Sequence, residues 1–218
     1  MNLLRNSNFF SRTHLHCSDG TVIRSKSWWR SKHYQDLLKN YEVWDYNKSN
    51  VNFLHRRLGK RVSLLRFGYA PFLETVPSNV PQDIDVLFYG SMCPRRWNIE
   101  RDLRKQGINA IFRSFNLWGT ERDSLIARAK IVLNIHFHSS CLFEYSRVLP
   151  LLSNRKFVIS EFSSDQDEYK FLEGGLVICN YNEILPKILY FLQHPDERHV
   201  ISTQGYEIVK QHPTIPPI

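Results

Sequence analysis

Between residues 90 and 161, small and charged residues recur where short apolar runs stop. Gly90-Ser91 ends the run IDVLFY, and Arg95-Arg96 follows soon after. A glycine-serine turn lets backbone N–H groups approach a phosphate, and guanidinium groups neutralise it. Asn116, Trp118 and Gly119 follow the next run, His136 and His138 the third, Glu161 and Ser163 the fourth. Glu144 stands at the head of a helical pattern with Arg147 three residues on, a spacing that also suits a plain intrahelical ion pair. A carboxylate at such an edge accepts the hydroxyls of a ribose, so the set suits a nucleotide diphosphate. His136-Phe137-His138 has a spacing that places two imidazoles on one side of a strand. Zinc needs further ligands at a tell-tale spacing, and none follows, so no metal site is expected. The two histidines are kept as candidate catalytic residues, beside a structural role.

The elements that must position these residues read as alternating strands and helices. Strands are expected at Ile84–Tyr89, Asn109–Phe115, Lys130–His136, Lys156–Ser160 and Leu176–Cys179. Helices are expected at Pro94–Gln106, Thr120–Ala129, Leu142–Ser153, from an Asn182 cap to Gln193, and from Pro195 to about Gln211. Thr120 and Asp123 have capping-box spacing. The strands are continuous apolar runs, the pattern of a parallel sheet covered on both faces by crossover helices. An α/β fold with a Rossmann-like doubly wound parallel sheet follows for residues 83–218. In open sheets of this kind ligands bind beyond the carboxyl ends of the strands, where all the residues above fall.

Residues 1–82 differ in character. A helix is expected at His33–Asn40, short strands at Tyr41–Trp44 and Arg61–Arg66, and between them a helix ending at Leu58 with Gly59 as its cap. Residues 70–82 hold three prolines and read as a linker. The formal charge is +8, and residues 1–66 carry 13 Lys or Arg against 4 Asp or Glu. The excess therefore belongs to the first third alone. Arg24, Lys26, Trp28, Trp29, Arg30 and Lys32 interleave charge with aromatics. Such a segment suits an anionic membrane surface. It also suits stacked single-stranded nucleic acid, the second choice here. The bland alternative is a segment that packs on another part of the protein.

Composition excludes several classes. With 42% hydrophobic and 23% charged residues the chain is neither disordered nor collagen-like. No window approaches a membrane span, and no apolar signal segment opens the sequence, so a cytoplasmic location is expected, with peripheral contact at a membrane. Cys17, Cys93, Cys141 and Cys179 are scattered and suggest neither disulfides nor zinc. The motifs GxGxxG, GxxxxGK[ST] and GxSxG are missing, which removes a dinucleotide fingerprint, a P-loop and a hydrolase elbow.

The blocks DIDVLFYGSMCPRRWNIERDLRKQGINAIF, GTERDSLIARAKIVLNIHFH, FEYSRVLPLLSNRKFVISE and YNEILPKILYFLQHPDERHVISTQGYEIVKQHPT occur in that order and resemble the GT-B glycosyltransferases. The narrower resemblance is to the group 1-like branch with CgeB-type and spore-protein-like sequences. Upstream, YEVWDYNKSNVNFLHRRLGKRVSLLRFGYAP is similar to the segment before the donor domain in that branch, so the likeness covers residues 33–214. It implies a metal-independent transferase that takes a sugar from a nucleotide-diphosphate donor, with no cofactor. It makes residues 83–218 the donor-binding GT-B C-terminal domain and 1–82 the remnant of an acceptor-side domain. The donor-binding residues it implies are Gly90, Ser91, Arg95, Arg96, Trp118, Glu144, Arg147 and Glu161. Many retaining members carry a second glutamate eight residues from the first. Leu152 stands at that distance after Glu144, and Asn154 replaces a common glycine. A complete member has two Rossmann-like domains. The implied partners are therefore the nucleotide sugar and a second chain supplying the acceptor half, with anionic surface contact through residues 1–66. A binding remnant without turnover, or a nucleic-acid binder, are the alternatives.

Overall fold

The computed structural model describes residues 31–114, 117–139 and 142–214. The interleaved basic and aromatic stretch at residues 24–30 lies outside them. The chain forms two compact units, one reaching to Leu65 and including His138–Leu142, the other built from Arg66–Phe137 and Phe143–Pro216. The units divide at residue 65, whereas the sequence reading places the domain boundary at 82.

In the smaller unit, α1 (Lys32–Asn40) leads to β1 (Trp44–Asp45), α2 (Lys48–Leu58) and β2 (Ser63–Leu64). The two strands pair in parallel, Trp44 with Ser63 and Asp45 with Leu64. Asn47 caps α2, its side chain accepting from the amides of Ser49 at 2.9 Å and Asn50 at 3.3 Å. Such a cap contributes about 1 kcal/mol. Gly59 ends the helix in the left-handed region, as its sequence position predicts. Val43, Leu54 and Val62 form the buried centre. The expected strands are trimmed to two residues each, because so small a core covers no more.

In the larger unit the strands are β3 (Ile84–Tyr89), β4 (Ala110–Arg113), β5 (Ala129–Asn134), β6 (Val158–Glu161) and β7 (Val177–Cys179). All pair in parallel, in the order β4-β3-β5-β6-β7. The helices are α3 (Pro94–Lys105), α4 (Gly119–Arg128), α5 (Tyr145–Ser153), the single turn α6 (Gln166–Tyr169), α7 (Ile184–Gln193) and α8 (Pro195–Lys210). The chain moves outward from β3 to β4, then returns past β3 to β5. Right-handed crossovers then put α3 on one face and α4 and α5 on the other. Val86, Phe88, Ile131, Leu133 and Ile159 pack with Ile99 and Leu103 of α3 and Ile184, Ile188 and Phe191 of α7. Both faces are thus covered, which is why the strands read as unbroken apolar runs.

Several local expectations are corrected. α4 begins at Gly119 with no side-chain cap, so the Thr120–Asp123 box does not form. Asp123 accepts instead from Thr75 Oγ1 at 2.8 Å. β5 ends at Asn134, so His136 and His138 do not share a strand face. α5 starts at Tyr145, not Leu142. Asn180 rather than Asn182 opens the next helical segment, in a reciprocal capping box with Glu183.

Residues 70–82 are not a free linker. A 3-10 turn at Pro71–Leu73 starts a strap bound to the larger unit. Val76 donates to Asn154 Oδ1 at 2.9 Å, and Asn154 Nδ2 donates to Leu73 O at 2.6 Å. Asn154 therefore has a structural reason to replace a glycine. Tyr69 and Tyr206 hydroxyls both donate to Glu74 Oε1, at 2.6 and 2.9 Å. Tyr69 also bridges to Pro213, its N–H donating to His212 O at 2.8 Å and its carbonyl accepting from Thr214 at 2.9 Å. Among the described residues no helix is long and apolar enough to cross a membrane.

Candidate functional site

The order of the strands reverses between β3 and β5, and open parallel sheets leave a crevice at that point, beyond the strand ends. The loop after β3 supplies Gly90 and Ser91, α3 supplies Arg95 and Arg96, the turn after β5 supplies His136, and the head of α5 supplies Glu144 and Arg147. Glu161 is the last residue of β6. The structure brings these eight side chains or turns together.

Arg96 is almost wholly buried, at 3% exposure. Its guanidinium ties two loops: Nε donates to Ile135 O at 2.9 Å, Nη1 to Ser91 O at 2.5 Å, and Nη2 also to Ile135 O. It stacks 4.7 Å from the Phe88 ring and lies 3.8 Å from Glu144. Burial and these bonds exclude a merely solvated role for Arg96. Arg147 Nε donates to Glu144 Oε2 at 3.0 Å, and Nη1 donates to Tyr89 O. Arg95 pairs with Glu161 and lies 4.1 Å over the Tyr181 ring, whose hydroxyl donates back to Arg95 O at 2.7 Å. The other Glu161 oxygen accepts from the His136 amide at 3.0 Å.

Glu144 is the negative centre of the cluster. Burial opposes its charge, but Arg147, His136 and Arg96 outweigh that burial and hold the carboxyl far below the usual range. It is a fixed carboxylate at neutral pH, with both oxygens facing cations. His136 is completely buried. Its Nε2 lies 3.0 Å from Ser163 Oγ and 3.2 Å from Phe162 O, while Nδ1 is beyond hydrogen-bond distance of any described residue and faces Glu144 Oε1 at 3.8 Å. The side chain braces β5 against the loop after β6.

Gly90 has a different task from the one its sequence suggests. Its N–H donates to Arg113 O at 2.9 Å, so this amide closes the sheet instead of facing a ligand. A Cβ here would stand 2.9 Å from Arg147 Nη2, and φ is 139°. The glycine makes room for a guanidinium. The amides of the first turn of α3 have no side-chain cap, which leaves that helix terminus facing the crevice end.

Trp118 caps the backbone of α4 beyond β4, on the other side of β3 from the crevice, and is 60% exposed. His138 belongs to the smaller unit. Tyr181 and Phe88 were not singled out from the sequence. Each reads as an ordinary apolar residue, and only the position of a guanidinium over its ring gives it a part. Among the described residues no group of three or more His, Cys, Asp or Glu could hold a metal ion.

Comparison with known proteins agrees with the geometry. The chain is similar to two proteins of Acanthamoeba polyphaga mimivirus. Uncharacterized protein L138 is 31% identical over 77% of this chain and 18% of its own length, and L140 is 28% identical over 74% and 55%. The chain thus spans little more than half of the second relative and under a fifth of the first. Among solved structures, TarM superposes with a TM-score of 0.59 at 9% identity, over 91% of this chain and 46% of that one. Sucrose-phosphate synthase from Thermosynechococcus elongatus gives 0.55 at 13%, over 87% and 59%. Anabaena HepE in complex with UDP-glucose gives 0.56 at 11%, over 82% and 62%. At these identities the likeness is one of fold. A family model described as glycosyl transferase-like matches residues 56–215, which takes in the whole five-stranded sheet and every residue of the crevice, and the chain belongs to that family.

Proposed function

We propose that the larger unit binds the nucleotide-diphosphate sugar of a glycosyl transfer reaction, in a protein of the CgeB-like kind, with the crevice between β3 and β5 as the donor site. The observation that carries this reading is Glu144, a carboxylate held ionised and oriented by Arg96 and Arg147 at the switch point. Such a group accepts hydrogen bonds from two vicinal hydroxyls, as a ribose presents. The uncapped first turn of α3, with Arg95 at its edge, offers amides and positive charge to a diphosphate leaving group. That arrangement lets the leaving charge be met by protein groups, so the reading includes independence of a metal. HepE was solved with UDP-glucose and with UDP, which makes a uridine-diphosphate sugar the first donor to try.

The test is a thermal-shift titration with UDP, GDP, ADP, CMP and dTDP, with and without magnesium. A ligand at about 100 times its dissociation constant stabilises by about 2.7 kcal/mol. One diphosphate is expected to raise the melting temperature equally with and without magnesium, and Arg95→Gln is expected to reduce that rise. No rise from a protein that melts cooperatively would end this reading.

A second reading is binding without turnover, and one observation favours it. His136, a candidate catalytic residue, is completely buried and already bonded through Nε2. Release of UDP from a UDP-sugar supports the first reading, and tight UDP binding without release, by the chain alone and with the acceptor half added, supports the second. A second chain carrying the acceptor half is part of the first reading and would restore release in the mixture.

A further inference from the structure

The amino-terminal third carries the protein's excess positive charge, and the smaller unit shows where some of it gathers. Both helices there run into the strands that follow them. The carboxyl ends of α1 and α2 and the amino ends of β1 and β2 therefore lie at one end of the unit. Lys60 fastens that end: its Nζ donates to Lys39 O at 3.1 Å and to Tyr41 O, and its own carbonyl lies 2.9 Å from His55 Nδ1. Lys39, Arg56, Arg57, Lys60 and Arg61 are thereby brought together, against Glu42 and Asp45 in the same stretch of sequence and Asp36 just before it. Arg56, Arg57 and Arg61 are exposed.

Cations in the last turn of a helix complement its dipole, and this accounts for the placing of Arg56 and Arg57. It does not account for the exposed apolar groups at the same helix and strand ends. Leu37, Tyr41 and Trp44 are 38%, 66% and 52% exposed. Tyr41 lies one turn from Leu37, its N–H donating to the Leu37 carbonyl, and Trp44 is the first residue of β1.

We propose that this end of the smaller unit is a docking surface for a membrane rich in anionic lipid. Cations and exposed aromatic and aliphatic groups at one end match the two layers of such a surface: phosphate or carboxylate headgroups, then the acyl boundary where Trp and Tyr settle. Leu37 favours a lipid over a nucleic acid, because an aliphatic side chain has no base-stacking face. The surface is carried on defined elements and is distinct from the crevice, so it stands whether or not the donor reading holds.

The test is co-sedimentation of the full chain with vesicles of phosphatidylcholine and of phosphatidylcholine mixed with phosphatidylserine. A DNA duplex serves as a parallel probe. Binding is expected to the mixed vesicles alone and to weaken as salt rises. Each cation near an anionic surface is worth about fivefold in binding, so Arg56→Gln with Arg57→Gln is expected to weaken it about thirtyfold. Trp44→Ser is expected to weaken vesicle binding and leave any DNA binding unchanged. Should the double variant fail to melt cooperatively, Lys39→Gln supplies the same comparison. Unchanged vesicle binding in the arginine pair, equal binding to neutral vesicles, or a response of DNA alone would each overturn the proposal.

Discussion

The guanidinium of Arg147 lies over Gly90, where a Cβ would stand 2.9 Å from Nη2. The pair locks the head of α5 to the end of β3, since the same guanidinium donates to Tyr89 O and to Glu144. Gly90→Ala is therefore expected to displace Arg147 and to strain a backbone at φ 139°, at a cost of about 1–3 kcal/mol. A lower melting temperature together with weaker diphosphate binding checks this. An unchanged melting curve would show that Arg147 moves aside freely.

Removing the charge of Glu144 leaves two cations facing a neutral group in a largely buried site. Glu144→Gln is expected to destabilise by about 3–5 kcal/mol, the usual result of breaking a buried pair from one side. The pH dependence follows from the same geometry. The folded carboxyl lies far below its ordinary value, so its contribution is present above about pH 4.3, the unfolded value, and fades as pH falls below that. Urea melts of the wild type and of Glu144→Gln between pH 7 and pH 3 should converge towards the acid end.

Asp45 behaves in the opposite sense. Burial pushes its carboxyl up to about 6, only partly offset by hydrogen bonds from the Asn47 amide and the Asn50 side chain. The folded unit thus prefers the protonated form. Its contribution is fully present below the unfolded value near 4 and is lost as pH rises through 6. Asp45→Asn is expected to stabilise the smaller unit at pH 8 by on the order of 1–2 kcal/mol and to do little at pH 4. Proton exchange of the α2 amides, which reports this unit separately, measures it.

Gly68 touches the other end of the chain. A Cβ there would overlap the His212 carbonyl, and the Gly68 N–H donates to Thr214 Oγ1 at 3.1 Å. Gly68→Ala is expected to break the Tyr69–Pro213 bridge and destabilise by about 1–3 kcal/mol. Thr214→Val should reproduce part of that loss, and the melting temperatures of both variants check it.

The larger unit was legible because its strands are apolar without alternation and two of its helices open on Pro94 and Pro195. Continuous runs admit one arrangement, a parallel sheet covered on both faces. The strand ends then named the crevice, and Arg96, Glu144, Arg147 and Glu161 meet there as that rule requires. The reading failed where a residue's partner is distant in sequence. Asp123 looked like a helix cap because Thr120 is near, yet it bonds Thr75. Three prolines between 70 and 82 looked like a linker, because nothing local announces Asn154 or Tyr206. Gly90 looked like a phosphate turn, since a glycine's neighbour in space leaves no mark on its own sequence. The short strands of the smaller unit were overestimated because propensity has no measure of how little core lies beneath them.

The bridge between Tyr69 and Pro213 gives the larger unit a further property. Its first and last described segments share two hydrogen bonds, so the path that leaves the unit ends beside the path that arrives. A polypeptide with that geometry is a module in the engineering sense: a few glycines would join residue 214 to residue 66 without stretching. A circular permutant reopened at the exposed turn after α3 should keep the sheet order, and the unit could be inserted whole into a surface loop of an unrelated host.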